Sequence, residues 1–429
     1  MRPFPVIVTA VFIALAFLSV FIFATFTSIK KNSIGNVEIW GSLPRPAFEA
    51  LIGKLSQGND TYANVKYRSI PDAELIPDLI EAIATGKSPD LVLFPARSIV
   101  NQGNKLSTIP YSTLSRRNFQ DTFIQGGEVF LYPDGIKALP FMVDPLVMYW
   151  NRTLFSVAGI SQPPRYWDEL TDMAQKLTKS TQNGTLTQSA VALGGWDNVD
   201  HAKAILVTLF NQLGNNVVEQ GADSAFVSTF LEGKSGTVNP ADSAVRFYTD
   251  FTDTTKPVYS WNRSQPDSRS AFIAGKLAVY FGTVSELSGI REANPNLNFD
   301  VAGVPSIRGA GAGIAADITG IAIPRGSKNP SGALIVATDL TSAQSIETLT
   351  STLMLPSVRR DAPPPASGDQ YAALFHNAAL VSFSFLDPDP SASDSIFKRM
   401  IEGVSSGKLQ VSEATVGADQ ELKALLGVQ

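Results

Sequence analysis

Polar and apolar positions along the chain alternate between two periods. After residue 35 the stretch "VEIWG" reads as a short strand ending at Gly41, and Phe48, Leu51, Ile52 and Leu55 then fall on one helical face at i, i+3, i+4, i+7. A second strand is expected at Val65 to Tyr67. Leu75, Leu79, Ile80 and Ile83 line another helix that stops at Gly86, and "SPDLVLF" resumes as a mostly apolar strand. This β-α-β-α-β order predicts an α/β fold with parallel strands and helices on the sheet faces.

Further on, "LPFMVDPLVMYWN" (residues 139–151) reads as a buried strand interrupted by one acid, Asp144. "PPRYWDELTDMAQKLT" predicts a helix: Pro163 and Pro164 lead in, Asp168 and Glu169 occupy the first turn, and Trp167, Leu170, Ala174 and Leu177 share a face. "HAKAILVTLFNQLG" and "SAVRFYTDFT" read as helices, and "AFIAGKLAVYFG" as a helix end at Gly275 against a strand. "ITGIAIP" reads as a strand feeding the helix "SGALIVATDLTS". The remaining C-terminal part is expected to be helical, broken by the loops "DAPPPASGD" and "LDPDPSASD".

Residues 6–26 are uncharged and long enough to cross a bilayer as a helix. The exit, Phe26-Thr27-Ser28-Ile29 and then Lys30 and Lys31, lacks a small-x-small cleavage site, so residues 1–35 are expected to form an uncleaved membrane anchor.

Composition narrows the chemistry. A chain of 429 residues exceeds one ordinary core, and two lobes are expected. Cysteine is absent, which excludes disulfides, thiolate metal sites and a lipid-modified Cys tether. The net charge is -5, and because residues 1–35 hold Arg2, Lys30 and Lys31 without an acid, residues 36–429 carry the more acidic share; a nucleic-acid partner is not expected. His201 and His376, the only histidines, leave little room for a His-based zinc site or a Ser-His-Asp triad and read as ordinary surface or core residues. The Gly-rich run "RGAGAGIAADITG" (308–320) lacks both phosphate-loop spacings and reads as a mobile loop before a strand at Ile318 to Ile323. No HExxH, paired-acid or Gly-x-Ser-x-Gly motif occurs, so no catalytic residue, metal ligand or cofactor is assigned. Two acids that meet only in space would escape this test.

The aromatics are more informative. Trp40, Phe94, Tyr149, Trp150, Trp196, Trp261, Tyr280 and Phe281 fall mostly at the ends of expected strands or in loops beside Gly, Asp or Asn. Ligands of open α/β sheets collect at the carboxyl ends of strands. Flat rings next to hydrogen-bonding groups suit the C–H faces and hydroxyl rims of sugars. Core packing accounts for any one ring; as a set, they point to a site.

The stretch "LPFMVDPLVMYWNRTLFSVAGISQPPRYWDELTDMAQKLT" resembles the central segment of extracellular solute-binding proteins of the ABC-transporter sugar class (family 1, maltose-binding-protein-like). "VEIWG", "AIATGKSPDLVLF", "SRSAFIAGKLAVYFGTVSEL", "VAGVPS" and "ITGIAIPRGSKNPSGA" follow in that family's order, covering residues 36 to about 425. One departure is Tyr166, which stands where the family has a capping Thr and leaves the helix-start N–H groups to Asp168 or water.

The resemblance implies a two-lobed, periplasmic-binding-protein-like (type II) α/β fold with chain crossovers; the transmembrane helix expected before it departs from the family's cleaved or lipid-tethered form. It places lobe I at residues 36–143 plus 305–345 and lobe II at 146–302 plus 350–429, with hinges near 143–146, 302–305 and 345–350. Carried over by position, the ligand-binding candidates are Trp40, Gly41, Ser42, Phe94, Asp144, Trp196, Asp197, Gly282, Thr283 and Val284, with Trp261, Asp317 and Thr319 in addition. The implied function is that of a non-enzymatic binding component of an ABC importer. It would be anchored in the cytoplasmic membrane with residues 36–429 outside, capture a carbohydrate between the lobes and deliver it to the permease. The alternatives are another small solute (polyamine, peptide or metal complex) and an anchored glycan-sensing or glycan-cleaving protein.

Overall fold

The computed structural model describes residues 34–57, 62–221, 225–232, 239–362 and 370–427. Its first elements form as their spacing predicts. Strand β1 (Val37–Gly41) pairs in parallel with β2 (Val65–Ser69) and β3 (Leu91–Pro95). Between them, α1 (Arg45–Leu55) buries Ala47, Phe48 and Leu51, and α2 (Asp72–Ala84) buries Leu75, Leu79 and Ala82. Asp72 and Glu74 in the first turn of α2 face the positive end of the helix dipole. Past its other end the chain turns through Gly86 at φ 69°, a conformation that costs glycine little.

Strand β4 (Leu139–Asn151) is the longest, and all of it is buried except Met142 and Asp144, which are half-buried. Such a run is what a strand covered on both faces requires. Then follow α3 (Trp167–Leu177), β5 (Leu186–Val191), α4 (Ala202–Gln212), β6 (Leu277–Thr283), α5 (Glu286–Ala293), β7 (Phe299–Ala302) and β8 (Ile314–Ala322). Of the later helices, α6 (Pro330–Leu340), α7 (Pro390–Ser405) and α8 (Val411–Leu425) matter most here. At the start of α3, where Tyr166 offers no side-chain cap, Asp168 Oδ1 accepts the N–H of Glu169 at 3.1 Å and Glu169 Oε2 accepts that of Arg165 at 2.8 Å.

The main sheet runs β2-β1-β3-β8-β4-β6-β5. The first half of β4 pairs antiparallel with β8, and the second half pairs antiparallel with β6 and β7. Buried apolar side chains form two clusters. One gathers Ile39, Phe48, Phe94, Phe141, Val143, Ile318 and Val336; the other gathers Leu146, Tyr149, Leu170, Phe210, Tyr280, Ala315 and Phe397. The chain therefore changes core between Val143 and Leu146 and again between Ala315 and Ile318.

Strand β8 begins at Ile314, so the end of the Gly-rich run belongs to the sheet rather than to a loop. Pairing with β4 from Ala316 onward holds it extended. The anchor expected at residues 6–26 lies outside the described residues; among those described, no helix is long and apolar enough to cross a membrane.

The β3-β8-β4 junction has no spare volume. A Cβ on Gly320 of β8 would come within 2.7 Å of the Ala138 Cβ and 2.8 Å of the Phe130 ring. Gly320→Ala should therefore destabilise the fold by about 1–3 kcal/mol, measured by denaturant unfolding. An unchanged midpoint would mean that the junction relaxes freely.

Candidate functional site

These two passages between cores lie side by side; the chain crosses again beyond Val358, since Tyr371 and Phe375 pack in the second cluster. In the antiparallel register Asp317 of β8 faces Asp144 of β4, flanked by the Ile318–Val143 and Ala316–Pro145 pairs. Directly opposed residues project to the same sheet face, which brings the two carboxylates together. Pro145 turns its backbone to the other edge, where its carbonyl accepts the Val284 N–H at 3.2 Å, so its missing N–H falls on the β6 side and takes no donor from the β4–β8 pairing.

Asp144 and Asp317 line a cavity of about 220 Å³, together with Arg97, His201, Lys203 and Phe385 among others. Arg97 follows β3 on the first core's side, whereas His201 and Lys203 sit at the start of α4, and Phe385 precedes α7. The cavity is thus built from both sides of the strand pair.

Each charged group has a definable environment. Burial pushes the Asp144 carboxyl up to about 6 from its ordinary 3.8; the Asp317 charge adds to the rise, while hydrogen bonds from Ser285 and Thr283 oppose it. One of those bonds is the Ser285 N–H to Asp144 Oδ1 at 3.0 Å. His201 adopts a left-handed backbone (φ 57°) at the head of α4, and its Nε2 lies 2.6 Å from Glu286 Oε1. Burial alone would lower the His201 pKa, but the Glu286 hydrogen bond and charge, with Asp317 and Asp200, raise it. Glu286 also accepts from Arg269 Nε at 2.9 Å, the Tyr280 hydroxyl at 2.8 Å and the Thr283 N–H at 3.1 Å.

Lys203 Nζ lies 2.5 Å from Asp387 Oδ2, and it donates to Ser393 Oγ at 2.6 Å and the Pro390 carbonyl at 3.0 Å. Burial raises the Asp387 pKa and Lys203 opposes that rise. Arg97 is ion-paired with Asp72. The half-buried Phe385 supplies the aromatic surface of the cavity and packs on Phe397 at 6.1 Å.

Of the residues singled out in the sequence, Asp144, Thr283 and Asp317 line this cavity. Gly282 and Val284 are buried beside Thr283, and Gly282 is packed under Tyr280 and Glu286. The half-buried Thr319 pairs with Met142 and Pro95. The tryptophans and Phe94 do not reach the cavity wall. Phe94 is 0% exposed inside the first core and opposes Gly320; Trp261 is 0% exposed inside the second. Trp40 is buried, with its indole N–H on Glu38 at 2.8 Å and Arg68 over its ring. Next to it, Gly41 is buried against Leu93, and Ser42 is exposed but outside the cavity. Trp196 is buried with Nε1 3.4 Å from Asp394, and the exposed Asp197 is tied to Lys398 at 2.6 Å.

Strand ends are where apolar layers close as well as where ligands collect, and here the large rings close the layers. The residues missed were Arg97, His201, Lys203, Phe385 and Asp387. "FSFLDPDP" carried only a loop signal, and His201 precedes an apolar helix with nothing local to mark it.

The sequence model for bacterial extracellular solute-binding proteins matches residues 41–344. A putative binding protein of Brucella abortus is 26% identical over 271 residues, a match spanning 61% of this chain and 60% of that protein. Among solved structures, a cyclo/maltodextrin-binding protein complexed with maltotetraose has TM-score 0.72 and 16% identity, covering 91% of this chain and 96% of that one. A cyclic alpha-maltosyl-1,6-maltose binding protein from Arthrobacter globiformis gives TM-score 0.72 and 16% identity, over 91% of this chain and 98% of that one. At such identity these likenesses establish the periplasmic-binding-protein-like α/β fold.

The Asp144 environment has a thermodynamic signature. Because its folded pKa, about 6, lies above its ordinary 3.8, the ionised form costs stability above that range, and the cost fades as pH falls toward 3.8. Asp144→Asn keeps an acceptor for Ser285 and should be the more stable protein by on the order of 2 kcal/mol at about pH 8, converging with the parent near pH 4. Paired urea titrations across pH check this; an Asn variant less stable at every pH would mark Asp144 as an ion-pair partner.

Proposed function

The chain belongs to the bacterial extracellular solute-binding protein family, and on that premise we propose that it is the binding component of an ABC importer that captures a carbohydrate, a sugar or oligosaccharide, where its two cores meet. The observation that carries this reading is the pairing of Asp144 with Asp317 on the two strands that cross between cores, inside a cavity that also holds the Phe385 ring. Carboxylates accept from hydroxyl rims, and an aromatic face takes the C–H side of a pyranose. Thr283 supplies a further hydroxyl to the same wall.

Under this reading, lobe I is built on the core that runs from Ile34 to Val143 and resumes at Ile318. Lobe II is built on the core from Leu146 to Ala315, together with α7 and α8. The second hinge is accordingly placed at 315–318 instead of near 302–305. Closure bends the paired strands at Pro145 and Ala316, a hinge motion of packed halves. The solute is handed to the transmembrane subunits of a permease, whose ATPase supplies the work; this chain does no bond chemistry. Residues 6–26 tether it to the cytoplasmic membrane, with residues 36–429 outside the cytoplasm.

Binding to the folded state at a hundredfold excess over Kd should add about 2.7 kcal/mol of stability. The full-length protein in detergent, melted against a panel of maltose-, mannose- and cellobiose-type oligosaccharides, should show that gain with at least one series. The absence of any shift across the panel would remove the carbohydrate assignment.

A further inference from the structure

The charges in the cavity are not evenly matched. Each cation on its wall already has an acid of its own: Arg97 is paired with Asp72, Lys203 with Asp387, and His201 with Glu286. Glu286 also holds Arg269. The two opposed acids are left over. Asp144 receives a backbone N–H from Ser285, and Asp317, exposed on the cavity wall, has no hydrogen-bond or ion-pair partner among the described residues. Arg97 and His201 feel the Asp317 charge, but their hydrogen bonds are committed elsewhere.

Like charges directly opposite on neighbouring strands are destabilising, and here the repulsion falls where both strands pass from one core to the other. A neutral hydroxyl can donate to one carboxylate but brings no charge to balance the pair. An ammonium brings both: it has three donors and no acceptor, and its bonds to carboxylates are charge-assisted. Leu146, Val207 and Phe385 on the same cavity offer apolar surface to the carbon skeleton that carries it.

We infer that the solute bears a cationic amine, seated between Asp144 and Asp317, so that an amino-substituted carbohydrate is preferred over its neutral parent. This rests on the assignment of the cavity as the solute site. The bound ammonium would neutralise the strand pair from both sides and thereby favour the closed arrangement of the halves.

Isothermal titration of the full-length protein in detergent at about pH 7.5 tests this with matched ligands: maltotriose, mannotriose and cellotriose, each beside its 6-amino-6-deoxy counterpart, and spermidine. The expected result is that at least one amino sugar binds about tenfold or more tightly than its parent. Asp317→Asn should erase that preference, so that the amino sugar and its parent, titrated against the same variant, bind within about twofold of each other. Asp144→Asn serves as a second variant, and circular dichroism verifies the fold of both.

Parents that bind as well as their amino counterparts would overturn the inference and leave the carbohydrate reading standing. So would neutral-sugar binding that strengthens from about pH 7.5 to 5.5, because the two acids would then share a proton in place of a cation. Spermidine binding with no sugar bound would support the cationic site and overturn the carbohydrate reading. No binding by any of these ligands would overturn both.

Discussion

Strand β4 has to satisfy two cores with one unbroken backbone. Its residues up to Val143 pack in the first cluster and those from Leu146 in the second, while its hydrogen-bonding edges are taken by β8 on one stretch and by β6 and β7 on the other. A one-residue slip would turn every side chain of β4 to the opposite face, so both cores must agree on a single register. That register is what sets Asp144 against Asp317. The acid pair is a consequence of the strand serving both halves, and it lies where neither core can bury it fully.

Rigidity and softness are distributed along the same strand. On the first-core side, Gly320 leaves room for Phe130 and Ala138 only because it has no side chain, and on the second, the Tyr149 hydroxyl donates to the Thr283 carbonyl at 2.6 Å. Between these anchors, Pro145 accepts the Val284 N–H at 3.2 Å and has no N–H to return, just past the end of β6. Away from the strands the halves touch again: Tyr132, packed on the first core, meets Phe226, packed on the second, edge to face at 6.2 Å between ring centres. A contact of this kind is worth about 0.5–1.5 kcal/mol beyond its buried area, small beside the strand pairing that joins the two cores.

Much of the fold was legible because its signals are local. The i, i+3, i+4 spacing of Phe48 and Leu51 and the apolar run "LVLF" each name their element without reference to the rest of the chain. Asp144 was legible for a related reason: a lone carboxylate inside an apolar strand is expensive unless it faces a boundary. Asp317 came only through family likeness. The aromatic set misled because position at a strand end does not say which side of the closing layer a ring occupies; Trp261 and Phe94 went inward. Phe385 and Lys203 stayed hidden for the opposite reason. Their elements meet the cavity through tertiary packing alone, with Lys203 reaching across 190 residues of sequence to Ser393.

The cavity's polar wall is organised from behind by Glu286. Its two oxygens collect His201, Arg269, the Tyr280 hydroxyl and the Thr283 N–H, so the end of β6 is fixed relative to the head of α4. Despite its burial the carboxyl is held below the usual glutamate range, because His201 and the hydrogen-bond donors favour its charge. The turn that Glu286 fixes carries Ser285, whose N–H donates to Asp144 at 3.0 Å from the second core's side. The position of Asp144 in the cavity thus depends on a carboxylate that does not line it, through the chain Glu286, Thr283, Ser285. A change at Glu286 would reach the cavity without lining it, because it would free the donor that orients one member of the acid pair.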